Sequence, residues 1–185
     1  MEFLIILLVV VLGAAIGVWL YIAKQGDAHF TFLVDQRTDF TLTAITTDTA
    51  TFSTTVPFVN NGTQDGTLMD VFPRHFLPYE QFDAVDTDSR LTLDTANRSD
   101  GYWEAYIVPV STGGSIILTV KFTAKSGDIK TALKDMVDMP IDIIYQVVAR
   151  SLWYLAKERL IMTADEIHKV LAAGEKAVAR SEEQI

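Results

Sequence analysis

Residues 3–23, FLIILLVVVLGAAIGVWLYIA, form an unbroken apolar run of 21 residues without a charge. At 1.5 Å per residue a helix of this length reaches roughly 30 Å, the thickness of a hydrocarbon core. Trp19 and Tyr21 stand near its end, where amphipathic rings favour the headgroup region, and Lys24 closes it. A cleaved signal peptide wants a basic start and a shorter apolar stretch ending in small residues. Here the run follows Met1-Glu2 and ends in bulky ones. Residues 1–24 therefore read as a retained single-pass anchor, with the lipid bilayer as their partner.

A type IV pilin start is excluded, because no Gly precedes the run and no Glu stands at its fifth position. Sidedness is less constrained. Lys24 after the span favours a cytoplasmic body by the positive-inside rule, but long domains translocate regardless of flanking charge. The body has no Lys between Gln25 and Val120 and is rich in Thr, a composition more familiar outside the membrane. The exoplasmic side is the reading taken, with the cytoplasmic side as alternative.

From His29 to Ala124 the chain reads as short strands between turns. The stretches 29–34, 39–46, 49–59, 67–72, 90–94, 102–110 and 115–124 are rich in β-branched and aromatic residues and alternate apolar with polar. Asn60-Asn61-Gly62 and Asp65-Gly66 read as a turn taking positive φ cheaply, and Ser111-Thr112-Gly113-Gly114 as a hairpin loop. Seven such strands without helical periods predict an antiparallel sandwich. In architecture this resembles an immunoglobulin-like or late-embryogenesis-type sandwich, without the Cys–Trp–Cys core of antibody domains.

Asp128 is placed to cap a helix over 128–138, with Ile129, Leu133, Met136 and Val137 on one stripe. Residues 141–162 fit either an amphipathic helix or two strands that complete the sheets. The β composition of IDIIYQVV favours strands and a domain spanning 25–162; the alternative is an α+β chain with a helical C-terminal third. Thr163 and Glu166 form a capping box, so 163–185 reads as an amphipathic helix and tail, with Ile167, Leu171, Gly174 and Val178 on one side.

Charge restricts the function classes. Of 15 Lys+Arg and 24 Asp+Glu, 4 basic and 13 acidic residues fall between 27 and 120, and 10 of each between 121 and 185. A net charge of −9 argues against a surface that tracks phosphates, hence against nucleic acid. Absence of Cys removes disulfides, thiolate metal sites and cysteine nucleophiles. Asn61, Thr63, Asp65 and Gly66 imitate the opening of a calcium loop, but Phe72 stands where its bidentate Glu belongs. Asp83, Asp86 and Asp88 offer three carboxylates within six residues, a set that would take Ca²⁺; a solvated acidic loop is the plainer reading. No G-x-S-x-G, no H-E-x-x-H and no His beside an evident Ser or acid pair is present, so no catalytic residue is assigned and no cofactor is implied.

Residues 72–82 pack four aromatics into eleven positions, with Pro73 and Pro78 arguing against a central strand. Rigid rings and Arg are what binding hot spots use, so Phe72, Arg74, Phe76, Tyr79 and Phe82 are candidate partner-binding residues. The competing reading has these rings plugging one end of the core. Gly13 and Gly17, four apart on one helix face, would let a second membrane helix, its own copy or a partner's, approach closely. Three functions remain: a membrane-anchored, non-enzymatic sandwich that binds or scaffolds a protein; an accessory subunit of an integral membrane complex; or a tethered carboxylate-dependent hydrolase.

Overall fold

The computed structural model describes residues 2–96, 98 and 100–182, with side chains through residue 173 of the last helix. α1 (Glu2–Lys24) is an apolar helix with none of its residues buried. It is long and apolar enough to cross a membrane, as an anchor or a signal sequence would be. Nothing lies within 4 Å of where a side chain at Gly13 or Gly17 would begin.

The body is the antiparallel two-sheet sandwich expected. One sheet runs β1 (Phe30–Phe32), β3 (Thr49–Asn60), β7 (Gly113–Ala124), β5 (Val85–Leu93), with β2 (Thr41–Ile45) also on the β3 edge. The other runs β6 (Tyr106–Val108), β4 (Gly66–His75), β8 (Met139–Val148), β9 (Tyr154–Met162). With β1 and β2 as a split first strand, this is the A-B-E-D against C-F-G order of a constant-type immunoglobulin fold. β6 is an addition beside β4. Residues 141–162 are strands, as the β-branched composition favoured.

Strict alternation builds the core. Ala50, Phe52, Val56 and Phe58 of β3, Ile116, Leu118, Val120 and Phe122 of β7, and Met139, Ile141, Ile143, Tyr145 and Val147 of β8 all point inward and are buried. Phe32 stacks on Phe58 at 5.3 Å and on Tyr145 at 4.7 Å. The Tyr145 hydroxyl crosses from the second sheet to donate to the Phe30 carbonyl in the first, at 3.2 Å. Burial drives its pKa upward, out of the ordinary phenol range.

Several sequence expectations are corrected. Residues 102–110 supply only the three-residue β6, and in place of a hairpin loop at 111–114 the chain crosses between the sheets through Ser111 and Thr112, with Gly113 and Gly114 already in β7. There Ser111 takes the positive φ, at 58°. The helix expected over 128–138 ends at Leu133: α2 (Ile129–Leu133) keeps the Asp128 cap, whose Oδ1 accepts from Lys130 N and Thr131 N. Asn60 is not a turn residue with positive φ. It is buried, accepts from His29 N and Gly62 N through Oδ1, and donates through Nδ2 to the carbonyls of Gln64 and Val108.

The capping box of α3 (Ala164–Glu182) forms by half. Thr163 Oγ1 accepts from Glu166 N at 3.3 Å. The Glu166 carboxylate turns away to receive both Arg37 nitrogens at 2.9 and 2.8 Å and Phe40 N at 2.7 Å. Burial alone would raise the Glu166 pKa, but these donors outweigh it and hold it below the usual range. Ile167 is buried beneath the helix, and His168 is half-buried and donates from Nε2 to the Leu133 carbonyl at 2.9 Å. Of the stripe read on this helix, Gly174 and Val178 lie outside the described side chains.

Candidate partner-binding face

The two outer faces of the sandwich differ in chemistry. Outside β3 and β7 stand Thr49, Thr51, Ser53 and Thr55 opposite Thr123, Lys121, Thr119 and Ile117, a hydroxyl-rich surface. Outside the β6-β4-β8-β9 sheet the register instead aligns Ile107 with Thr67, Phe72 with Ile144 and Lys157, Arg74 with Asp142 and Arg159, and Pro140 with Ile161. Ile107, Phe72, Phe76, Leu155 and Ile161 are exposed there.

A bulge sets this face. Between Met69 and Phe72 β4 carries two residues against one in β8, and Asp70 occupies the left-handed region at φ 48°. Asp is among the few non-glycine residues that enter this region readily. The extra residue reverses the inside-outside phase, so Leu68 and Val71 point inward while Phe72 and Arg74 point outward. Uninterrupted alternation from Leu68 would have buried Phe72. Trp103 closes the inner side of this irregularity, donating from its indole to the Leu68 carbonyl at 3.1 Å.

Asp142 is the electrostatic centre of the face. It is 2% exposed yet lies on the outward side of β8, covered by long basic side chains. Arg159 Nε donates to its Oδ1 at 2.6 Å, and Arg159 Nη2 and Lys157 Nζ to its Oδ2 at 3.1 and 3.0 Å. The Arg159 hydrogen bonds, aided by Lys157 and working against desolvation, bring its pKa down to about 2. Phe76 sits between two guanidinium groups, Arg74 at 5.1 Å and Arg159 at 5.4 Å. Arg74 has no carboxylate at ion-pair distance among the described residues. The cluster thus carries three cations against one anion on a chain that is acidic overall.

The aromatic segment read from the sequence divides between the core and the surface. Phe82 is 5% exposed and Leu77 is buried with it in the core. Phe72, Arg74, Phe76 and Tyr79 are exposed. Phe72, Pro73 and Arg74 belong to a strand paired with β8, against the expectation from the prolines; β6 covers the other side of β4 only as far as Leu68, so Pro73 stands on an open edge, where a missing N–H is tolerated.

Asp83, Asp86 and Asp88 do not converge. Asp83 pairs with Lys125, Asp86 approaches the same ammonium at 3.8 Å, and Asp88 pairs with Arg90 at 3.3 Å. No group of three or more metal-ligating side chains is assembled among the described residues. One pairing was missed in the sequence: His75 Nδ1 lies 2.9 Å from Ser89 Oγ. The two sit 14 residues apart on inward positions of β4 and β5, so no local motif announces them. Burial lowers the His75 pKa below 6.5, with Asp88 opposing, and the neutral imidazole links the two sheets at their edge.

No protein-family model matches the chain, and no curated protein matches its sequence. Among solved structures it is similar to the X-ray structure of Northeast Structural Genomics Consortium target SoR45, at 14% identity and a TM-score of 0.37 over 74% of this chain and 86% of that one. It is also similar to the yeast GGA1_GAE domain-P21 structure (10%, 0.33, 72% and 91%) and to the GAE domain of GGA2p from Saccharomyces cerevisiae (8%, 0.26, 67% and 94%). With TM-scores below 0.5 these likenesses carry no functional assignment.

Phe82→Ala is expected to cost about 3–5 kcal/mol in unfolding free energy, the range for a buried Phe. Phe76→Ala, at 37% exposure, should cost under about 1 kcal/mol, as surface truncations do. Chemical denaturation of the two variants side by side checks this, and equal losses would place Phe76 in the core. A second expectation concerns pH. The folded state holds His75 neutral below the pH at which the unfolded chain protonates it, so its contribution is full above about pH 6.5 and declines as pH falls further. The unfolding midpoint should drop between pH 7 and 5.5, and His75→Gln should flatten that slope; an unchanged slope in the variant refutes it.

Proposed function

We propose that the chain is a membrane-tethered, non-enzymatic adaptor that binds a protein partner on the outer face of the β6-β4-β8-β9 sheet. The observation that carries this reading is the asymmetry between the two faces. A sandwich exposed to water on both sides has no need of Phe72, Ile107, Leu155 and Ile161 on one of them while the other is paved with Thr. Asp142 holds the Arg159 guanidinium against Phe76, so little of that side chain's entropy is lost when a partner covers it. Three cations around one buried carboxylate favour a partner presenting apolar side chains with a carboxylate among them. α1 supports the tether, and its apolar surface, unburied by the domain, is free to contact lipid or another membrane helix. The Lys-free, Thr-rich stretch 25–120 supports an exoplasmic domain.

A photo-crosslinking residue at Phe72 should yield a discrete adduct in native membranes, whereas the same residue at Thr51 on the opposite sheet should not. Arg74→Glu should abolish the Phe72 adduct. Adducts from Thr51 alone, from neither position, or insensitive to Arg74→Glu would remove this face as the docking site. For sidedness, a membrane-impermeant maleimide should label Ser126→Cys in intact cells. Labelling that requires permeabilisation puts the domain in the cytoplasm.

A further inference from the structure

The segment joining α1 to β1 is clamped to the body. Gly26 takes φ 65°, and a side chain there would collide with Thr63 Oγ1 at 2.3 Å. Gly62 faces the Asp27 carbonyl, which a Cβ would meet at 2.3 Å. Thr63 Oγ1 and Gln64 Nε2 both donate to the Gln25 carbonyl, at 2.6 and 3.1 Å. The Asp27 carboxylate then reaches across to the β8–β9 turn, accepting from Arg150 N at 3.2 Å and Ser151 N at 3.1 Å. Tyr154, at the start of β9, donates its hydroxyl to the Ala28 carbonyl at 3.5 Å. Ile22 and Ala23 of the helix line one crevice with Arg150 and Ser151.

These bonds place the β8–β9 turn beside the C-terminal end of the apolar helix. At its tip Leu152 is 88% exposed and Trp153 59% exposed, neighbouring apolar side chains with no cover from the body. Asp27 is only three residues beyond Lys24, a chain reach of at most about 10 Å. The polar headgroup region extends roughly 5–8 Å beyond the hydrocarbon on each side. A turn bolted at that height lies at the headgroup layer of whichever bilayer holds α1, on the same side as Trp19 and Tyr21.

We propose that the β8–β9 turn inserts Leu152 and Trp153 into the interface of the bilayer that α1 spans, with Arg150 beside them at phosphate level. The inference rests on the reading of α1 as a membrane span. Trp favours this layer because its ring is apolar and its N–H is wet, Leu gains from the acyl boundary, and an Arg is drawn to phosphate. Two attachments, helix and turn, then fix how the sandwich stands on the membrane, which one flexible tether would not do. The partner-binding face begins at Leu155, two residues above Trp153, so its lower end is held near the lipid surface.

These 185 residues contain no Cys, so single cysteines can carry nitroxide labels without background. The full chain bearing Leu152→Cys, Ser126→Cys or Val10→Cys is reconstituted in vesicles of phosphatidylcholine and phosphatidylglycerol at 3:1. Collision with oxygen, which concentrates in lipid, is compared with collision with a water-soluble nickel chelate. The oxygen-to-nickel ratio at position 152 should exceed that at 126 several-fold and approach that at 10. A ratio at 152 equal to that at 126, with 10 still in lipid, overturns the insertion while leaving the anchor intact. Protection of 152 from both reagents means that protein covers the turn, and overturns it equally. Exposure of position 10 to nickel would defeat the anchor reading, and the insertion with it.

Discussion

No disulfide joins the two sheets of this sandwich, and their alignment rests first on one aromatic contact. Phe32, Phe58 and Tyr145 meet in the core between the sheets, two from the first sheet and one from the second. The Tyr145 hydroxyl bonds across to the Phe30 carbonyl. Packing alone is tolerant of sliding, because apolar surfaces attract without direction. A buried hydroxyl with one reachable acceptor is not tolerant, since any slip leaves the hydroxyl and the carbonyl unpaired at a cost of roughly 1–3 kcal/mol. The Phe30 carbonyl in turn lies on the strand that follows the α1 linker, so the same contact that aligns the sheets locates the helix end against them.

From that alignment the edges follow. His75 and Ser89 join the sheets where β4 passes β5, and Arg37 with Glu166 ties the β1–β2 connection to the start of α3. Asn60 and Asp27 together organise the helix-proximal end, where backbone groups of four segments find partners in two side chains. Polar groups in this domain therefore work mainly at its ends and seams, while alternating apolar residues fill the middle. What is left without a structural task is the outward side of the β6-β4-β8-β9 sheet and the β8–β9 tip. Those are the surfaces on which a binding role rests.

Much of this was legible in the residues. Alternation in β3, β7 and β8 is so regular that inward sets can be read directly, and the 21 uncharged residues of the first segment leave only a helix in lipid or a signal sequence. The site was legible only in composition: the aromatic and Arg content of 72–82 marked a binding surface or a core plug, and the structure buries Leu77 and Phe82 while leaving Phe72, Phe76 and Tyr79 exposed. Which ring went where depended on a bulge at Asp70, whose left-handed backbone no alternation pattern reveals. Arg159 and Asp142, 17 positions apart, and His75 and Ser89, 14 apart, carry no spacing signal because strand pairing alone brings them together.

By itself, then, the sequence determined an apolar helix, an antiparallel sandwich and an acidic body free of thiol chemistry, because hydrophobic period, turn residues and charge are local properties. Tertiary structure decided which face of the sandwich is greasy, which aromatic is buried, and that the β8–β9 turn sits beside the end of the helix. Each of those depends on register between strands distant in sequence. Register is set by a one-residue bulge, two glycine contacts and a buried carboxylate, whose effect exists only once both sides are in place.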